Sequence, residues 1–210
     1  ADQLPGSCKN WFTVQRWVDI SNATYGLTWA TLDAPLVEVG ALTADRIGSL
    51  SDPKEWLSHV APSQTLYSWV MNNHWHTNYR ADQEGPTTFR YCIRPHAACD
   101  AAAAQRFGIE CSQPLVAVPA EITSPAPQSR LRVEPTDVIV SLFKPSTDGK
   151  AWIVRLFNAT EHPRSATLTW SEPRPKVVRR CNLLEEPGAG LRGALDLPAW
   201  GLATLYCERP

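Results

Sequence analysis

Between Ser68 and Pro86 the chain concentrates side chains that could do chemistry: three asparagines, two histidines, two carboxylates and two tryptophans. Asn72, Asn73, Trp75, Thr77 and Asn78 suit a sugar. Planar amides and a hydroxyl satisfy sugar hydroxyls, and an aromatic face covers a patch of C–H bonds. The ordinary alternative is that the amides cap turns and Trp75 fills a core. His74 and His76 alternate, so on a strand both would project to one side, as zinc ligands can. A zinc site needs a third ligand, and Cys92 and His96 are the nearest candidates, so two polar rings at a rim is the simpler reading. Asp82 and Glu84 also alternate, and a retaining glycosidase needs two carboxyl groups across the scissile bond. They precede Gly85-Pro86 in a turn-like stretch without a visible partner to perturb them, which argues for solvated carboxylates. No catalytic residue and no metal ligand is assigned from these pairs.

Other chemistries lack their signatures. Gly188-Ala189-Gly190 has no strand–turn–helix setting for a phosphate loop. A Ser-His-Asp arrangement is recognised by geometry and cannot be singled out in a sequence. The net charge of −1 argues against a nucleic-acid partner, which demands a basic surface. Arg174, Lys176, Arg179 and Arg180 cluster, but apolar residues interleave them as on a solvated strand face. No apolar run reaches bilayer length, so no membrane partner is expected. Ala1 to Gly6 lacks the basic start and apolar core of a signal peptide, which leans toward a cytoplasmic setting. The six cysteines contain no Cys-x-x-Cys, and a chain of this length does not need staples, so free thiols are expected. Cys181–Cys207 is the pairing to check. Two glycosylation sequons, at Asn22 and Asn158, carry meaning only in a secretory setting.

The elements that must position these residues are short. Apolar-alternating runs separated by Pro, Gly and Asn predict an all-β sandwich class. Strands are expected over Trp11–Val18, Leu27–Leu32, Leu36–Leu42, Thr65–Met71 and Thr87–Ile93. The alanine run at 101–104 predicts one short helix, started at Pro95 and stopped at Gly108. Four prolines among polar residues mark 119–137 as a Pro-rich linker. About six further strands are expected from Val138 to Cys207, with Val138, Val140 and Leu142 on one face. Trp152, Val154 and Leu156 share a face, and so do Ala166, Leu168 and Trp170. Asp148-Gly149 signals a hairpin turn. No internal repeat is present.

Several segments in order resemble one family. The core Asn72-Asn73-His74-Trp75-His76-Thr77-Asn78-Tyr79, with Ala81-Asp82-Gln83-Glu84-Gly85-Pro86 behind it, is similar to the C-terminal half of bacterial glycoside hydrolase family 38 α-mannosidases. Arg16–Asn22, Asp33–Gly40, Lys144-Pro145-Ser146, Asp148–Asn158 and Leu183–Pro187 resemble the same family. The resemblance implies that residues 1–118 are the C-terminal part of a galactose-mutarotase-like β-supersandwich. Residues 138–210 would be a terminal β-sandwich domain. The family's nucleophile and zinc ligands lie in an N-terminal catalytic domain that no part of this chain resembles. The implied function is therefore that of a C-terminal region of a retaining α-mannosidase. It would shape the cleft for an α-mannoside substrate, with that catalytic domain as partner and zinc as that domain's cofactor. The chain alone is expected to be inactive. The resemblance also implies that Lys144, at a strand end, reaches the edge of the active site. A surface lysine is the plainer reading. The rival functions are a free-standing carbohydrate-binding module, which needs a row of exposed aromatic rings, and a structural or interaction domain, which needs a broad apolar patch.

Overall fold

The computed structural model describes residues 4–43, 56–71, 80, 82–119 and 129–210. Contacts divide the chain into two compact units, Ala1–Cys99 with Phe107–Pro114, and Asp100–Arg106 with Leu115–Pro210. The class is all-β with one short helix, as the patterning predicts.

In the first unit β1 (Phe12–Thr13), β4 (Leu36–Val39) and β5 (Leu66–Trp69) form one antiparallel sheet, and β2 (Trp17–Ser21), β3 (Gly26–Thr31) and β6 (Tyr91–His96) form another. The second sheet is held by a polar clasp. Asp19 accepts hydrogen bonds from Ser21 Oγ, Thr28 Oγ1 and His96 Nε2, each at 2.7 Å. Burial pushes the Asp19 carboxyl up, but the three donors together outweigh it and hold the group below its usual range. Gly26 is required here, because a Cβ would strike Ser21 Cβ and His96 Cε1.

The helix, α1, runs from Ala101 to Ser112 rather than from Pro95 to Gly108. Pro95 instead belongs to β6, the edge strand of its sheet, where a missing N–H is tolerated. Asp100 caps the helix, its carboxylate accepting from Ala103 N at 3.0 Å. Gly108 sits inside the helix instead of ending it. Its missing side chain allows close approach, since a Cβ would lie 3.0 Å from Arg16 Cβ and Trp17 Cδ1. Strand β4 ends where the sequence places Gly40, at a φ of +83°.

The second unit is a two-sheet sandwich. One sheet has the order β13-β10-β7, from Leu195–Leu197, Arg164–Trp170 and Leu131–Glu134. The other has the order β12-β11-β14-β9-β8, from Pro187–Gly190, Val178–Cys181, Leu202–Glu208, Ala151–Asn158 and Val138–Pro145. Seven strands thus follow Val138, one more than patterning suggests. Strand β7 also lies within the stretch that composition marks as linker. Val138, Val154, Leu156, Ala203, Leu205 and Cys207 from the larger sheet pack against Ala166, Leu195 and Leu197 from the smaller. Each fully buried leucine contributes about 1.5–3 kcal/mol. Leu168 and Trp170 join this core beside Ala166, as their alternation predicts. Leu142 does not share the face of Val138 and Val140. A register shift between Val140 and Leu142 pairs Leu142 with Arg155, on the sheet's outer face.

At one end of the core Trp152 stacks on Trp170 with centroids 5.9 Å apart, and Phe143 lies 6.1–6.4 Å from both. The Arg130 and Arg209 guanidinium carbons stand 5.4 and 5.7 Å from the Trp152 ring centre. This cluster closes the sandwich and leaves Trp152 covered by cations and a second indole. It is therefore not the free aromatic row that a sugar-binding module presents.

Candidate functional site

Of the residues given a part in sugar binding, Lys144 is the one that lies among the described residues. It ends β8 just before the 146–150 hairpin, whose Gly149 has a φ of +72° and donates to Ser146 O at 3.0 Å. Register places Lys144, Ile153, Tyr206 and Arg179 in one row across the outer face of the larger sheet. The Lys144 ammonium is ion-paired with Glu185. The second Glu185 oxygen accepts from Thr147 N at 2.7 Å. Glu185 adopts a φ of 66° in the loop between β11 and β12. That conformation is unusual for a residue with a Cβ, and the two contacts hold it. Lys144 and then the Thr147 amide keep the Glu185 carboxyl below its usual range. Burial, and next the Glu185 charge, push the Cys181 thiol up.

The hairpin beside Lys144 is equally constrained. Asp148 accepts from Ser146 Oγ at 2.6 Å, Lys150 N at 3.0 Å and Tyr206 Oη at 3.0 Å. The Ser146 hydroxyl leads in lowering the Asp148 carboxyl. Burial first, and then the Asp148 carboxylate, raise the Tyr206 phenol. The result is a cation on a rigid mount, with its Glu185 partner brought from 41 residues away. Charge separation of that range has no sequence signal, so Glu185 escapes the sequence reading except as part of the family-like run Leu183–Pro187.

Asn72, Asn73, Trp75, Thr77 and Asn78 lie outside the described residues, as do His74 and His76. The strand before them is described. Trp69 Nε1 donates to Met71 O at 2.7 Å, and the Trp69 ring meets Trp11 edge-on at 5.4 Å. Asp82 and Glu84 are exposed, each 3.7 Å from Arg80. Such exposed pairs carry little energy.

Among the described residues no group of three or more His, Cys, Asp or Glu side chains could hold a metal. Both His96 nitrogens are committed, Nε2 to Asp19 and Nδ1 to Ala97 O at 3.2 Å. Cys92 instead hydrogen-bonds the Cys111 thiol, which burial and this contact push up to about 11. All six cysteines are free. Cys181 and Cys207 cannot pair, because Cys181 lies opposite Thr204 while Cys207 lies opposite Val178 and points into the core. No described helix is long and apolar enough to cross a membrane.

The second unit is thus a two-sheet, all-β sandwich. Residues 137–199, roughly a third of the chain, match the family described as Glycosyl hydrolases family 38 C-terminal beta sandwich domain. No curated protein matches. Among solved structures, an alpha-mannosidase from Enterococcus faecalis V583 superposes with a TM-score of 0.59 at 15% identity, over 95% of this chain and 21% of that one. A protein in the glycosyl hydrolase family 38 from Enterococcus faecalis superposes with a TM-score of 0.60 at 16% identity, over 95% of this chain and 23% of that one. At such identities the likeness is one of fold. The chain spans less than a quarter of the length of either structure. The resemblance to the C-terminal β-domains of family 38 is thus borne out in the terminal sandwich by sequence, and across nearly the whole chain by fold.

Proposed function

We propose that this chain serves as the C-terminal β-region of a retaining α-mannosidase, acting on terminal α-mannosides only in company with a catalytic domain. That domain supplies the nucleophile and the zinc. This chain buries the domain interface, shapes the cleft and presents Lys144 at its edge. The amide-rich segment Asn72, Asn73, Trp75, Thr77 and Asn78 adds sugar contacts through its hydrogen-bonding side chains and indole face.

The match of residues 137–199 to the family 38 terminal sandwich carries this reading, because Lys144 and its Glu185 mount both lie within it. A lysine held by a carboxylate and a hairpin offers a positioned donor for a sugar hydroxyl. It donates without the entropy of a free side chain. Two carboxyl groups set across a glycosidic bond are needed for hydrolysis with retention. The exposed Asp82 and Glu84, both engaged with Arg80, do not supply them.

The test is steady-state hydrolysis of an aryl α-mannoside by this chain joined to a family 38 catalytic domain. Lys144→Met should lower kcat/KM about tenfold while the thermal transition stays within a few degrees. An unchanged kcat/KM in Lys144→Met, Asn73→Ala and Trp75→Ala would remove the cleft role.

A further inference from the structure

The edge of the larger sheet carries a feature that the mannosidase reading leaves unused. A groove of about 670 Å³ is lined by Pro175, Lys176, Val177, Val178, Arg179, Gly190, Leu191 and Arg192. The pairing of β11 with β12 shifts register between Arg179 and Cys181, just beyond the groove. Gly190, opposite Arg179, would meet nothing within 4 Å if it carried a Cβ, so the space above it is open. The backbone is paired on past it, with Leu191 N donating to Val178 O at 2.8 Å.

The charges in this groove are of one sign. Two cations of the neighbouring basic run are occupied: Arg174 pairs with Glu172 at 2.9 Å, and Arg180 donates to Asp196 O at 3.0 Å. Lys176, Arg179 and Arg192 make no ion pair and no side-chain hydrogen bond among the described residues, and no carboxylate lines the groove. All three are exposed, whereas Val178 and Leu191 turn their side chains toward the sandwich core. Clefts lined by one sign of charge concentrate counter-ions. Guanidinium groups match the oxygens of phosphate, sulfate and carboxylate.

From this geometry we infer that the groove of Lys176, Arg179 and Arg192 is a binding site for a saccharide bearing sulfate or phosphate ester groups. The inference rests on the glycan-active reading for the choice of a saccharide as the carrier of the anion. The groove has no aromatic lining residue, which disfavours stacked nucleic-acid bases and neutral sugars alike. A peptide strand is poorly served, because β12 is a four-residue edge of Pro, Gly, Ala and Gly with broken register.

Isothermal titration of the full chain tests the assignment, using a heparin-derived sulfated tetrasaccharide, a mannose oligosaccharide phosphomonoester, neutral mannotetraose and an octaglutamate peptide. At least one of the two esterified saccharides should bind, and which one does identifies the anion. Neutral mannotetraose and octaglutamate should bind at least about tenfold more weakly. Raising the salt from 50 to 200 mM should weaken binding at least about fivefold. The triple variant Lys176→Gln, Arg179→Gln, Arg192→Gln should lose at least about tenfold, since charge-assisted donors are removed. Arg132→Gln, at an exposed residue paired with Glu134 in another sheet, should bind as the parent does. Failure of both esters to bind, equal affinity for octaglutamate, or undiminished binding by the triple variant overturns the site. A triple variant that binds weakly but has lost its cooperative unfolding is replaced by the three single variants, whose losses must each be measurable. None of these outcomes depends on mannoside hydrolysis, so failure here and failure of the mannosidase reading remain distinguishable.

Discussion

Asn158 should be the most sensitive polar residue of the terminal sandwich. Its side chain is wholly buried and satisfies four groups. Nδ2 donates to His162 O at 2.7 Å and Pro198 O at 2.8 Å. Oδ1 accepts from Thr160 N at 3.2 Å and Thr160 Oγ1 at 2.9 Å. The amide therefore ties the end of β9 to the turn after it and to the segment entering β14. Asn158→Ala would remove all four bonds around a side chain shut off from water and leave Thr160 N without its acceptor, while His162 O keeps Thr160 Oγ1 at 2.9 Å and Pro198 O keeps Gly201 N at 3.0 Å. At about 0.5–1.5 kcal/mol for each of the four hydrogen bonds, the loss should be about 2–6 kcal/mol. Asn158→Asp keeps the size but loses both donors and buries a charge, so it should cost at least as much. Urea unfolding followed by tryptophan fluorescence reads the change as a lower midpoint with an unaltered slope. A loss below about 1 kcal/mol would refute the claim that these bonds are made in a water-poor site.

Leu205→Ala in the sandwich core should cost about 2–5 kcal/mol by the same assay, whereas Leu202→Ala, on the same strand but 62% exposed, should stay within about 0.5 kcal/mol. In the first unit the Arg90 side chain and backbone hold the Asp33 carboxyl at about 2. A depressed carboxylate adds stability above the unfolded value of 3.8 and loses it as the pH falls toward 2. A carbon-detected titration should place the Asp33 midpoint near 2, and Arg90→Gln should return it toward 3.8; an unmoved midpoint would count against the ion pair. Of the two sequons, Asn22 is exposed, with Oδ1 turned to Thr24 N and Oγ1 at 2.8 and 2.9 Å. Expressed through a secretory pathway, the folded chain should carry glycan at Asn22 and none at Asn158, which peptide mass spectrometry would show. Glycan at Asn158 in folded material would contradict its burial.

Local pattern and tertiary context left different marks on the sequence. The alternation of Ala166, Leu168 and Trp170 was legible because a strand with one face in a core must alternate. Asp148-Gly149 announced its turn because the turn requires a positive φ. Leu142 misleads, since a single added residue flips every following side chain and leaves no compositional trace. Pro95 and Gly108 mislead for a different reason. Their usual roles at helix ends yield here to an edge strand that tolerates proline and to a close approach that only glycine permits. At the candidate site, Lys144 was visible through resemblance, but its mount was not. Glu185 reaches it through a loop residue with a positive φ, a contact written only in three dimensions. The basic run around Arg179 reads in sequence as a solvated strand face, and the groove it lines has no sequence signal either.

The most direct test of the central claim is hydrolysis of an aryl α-mannoside, with added zinc, by this chain alone and by the chain joined to a family 38 catalytic domain. The account predicts no turnover by the chain alone, and turnover by the joined protein that falls when Lys144 is replaced. Turnover by the chain alone would contradict it and would place an active site among Asp82, Glu84, His74 and His76.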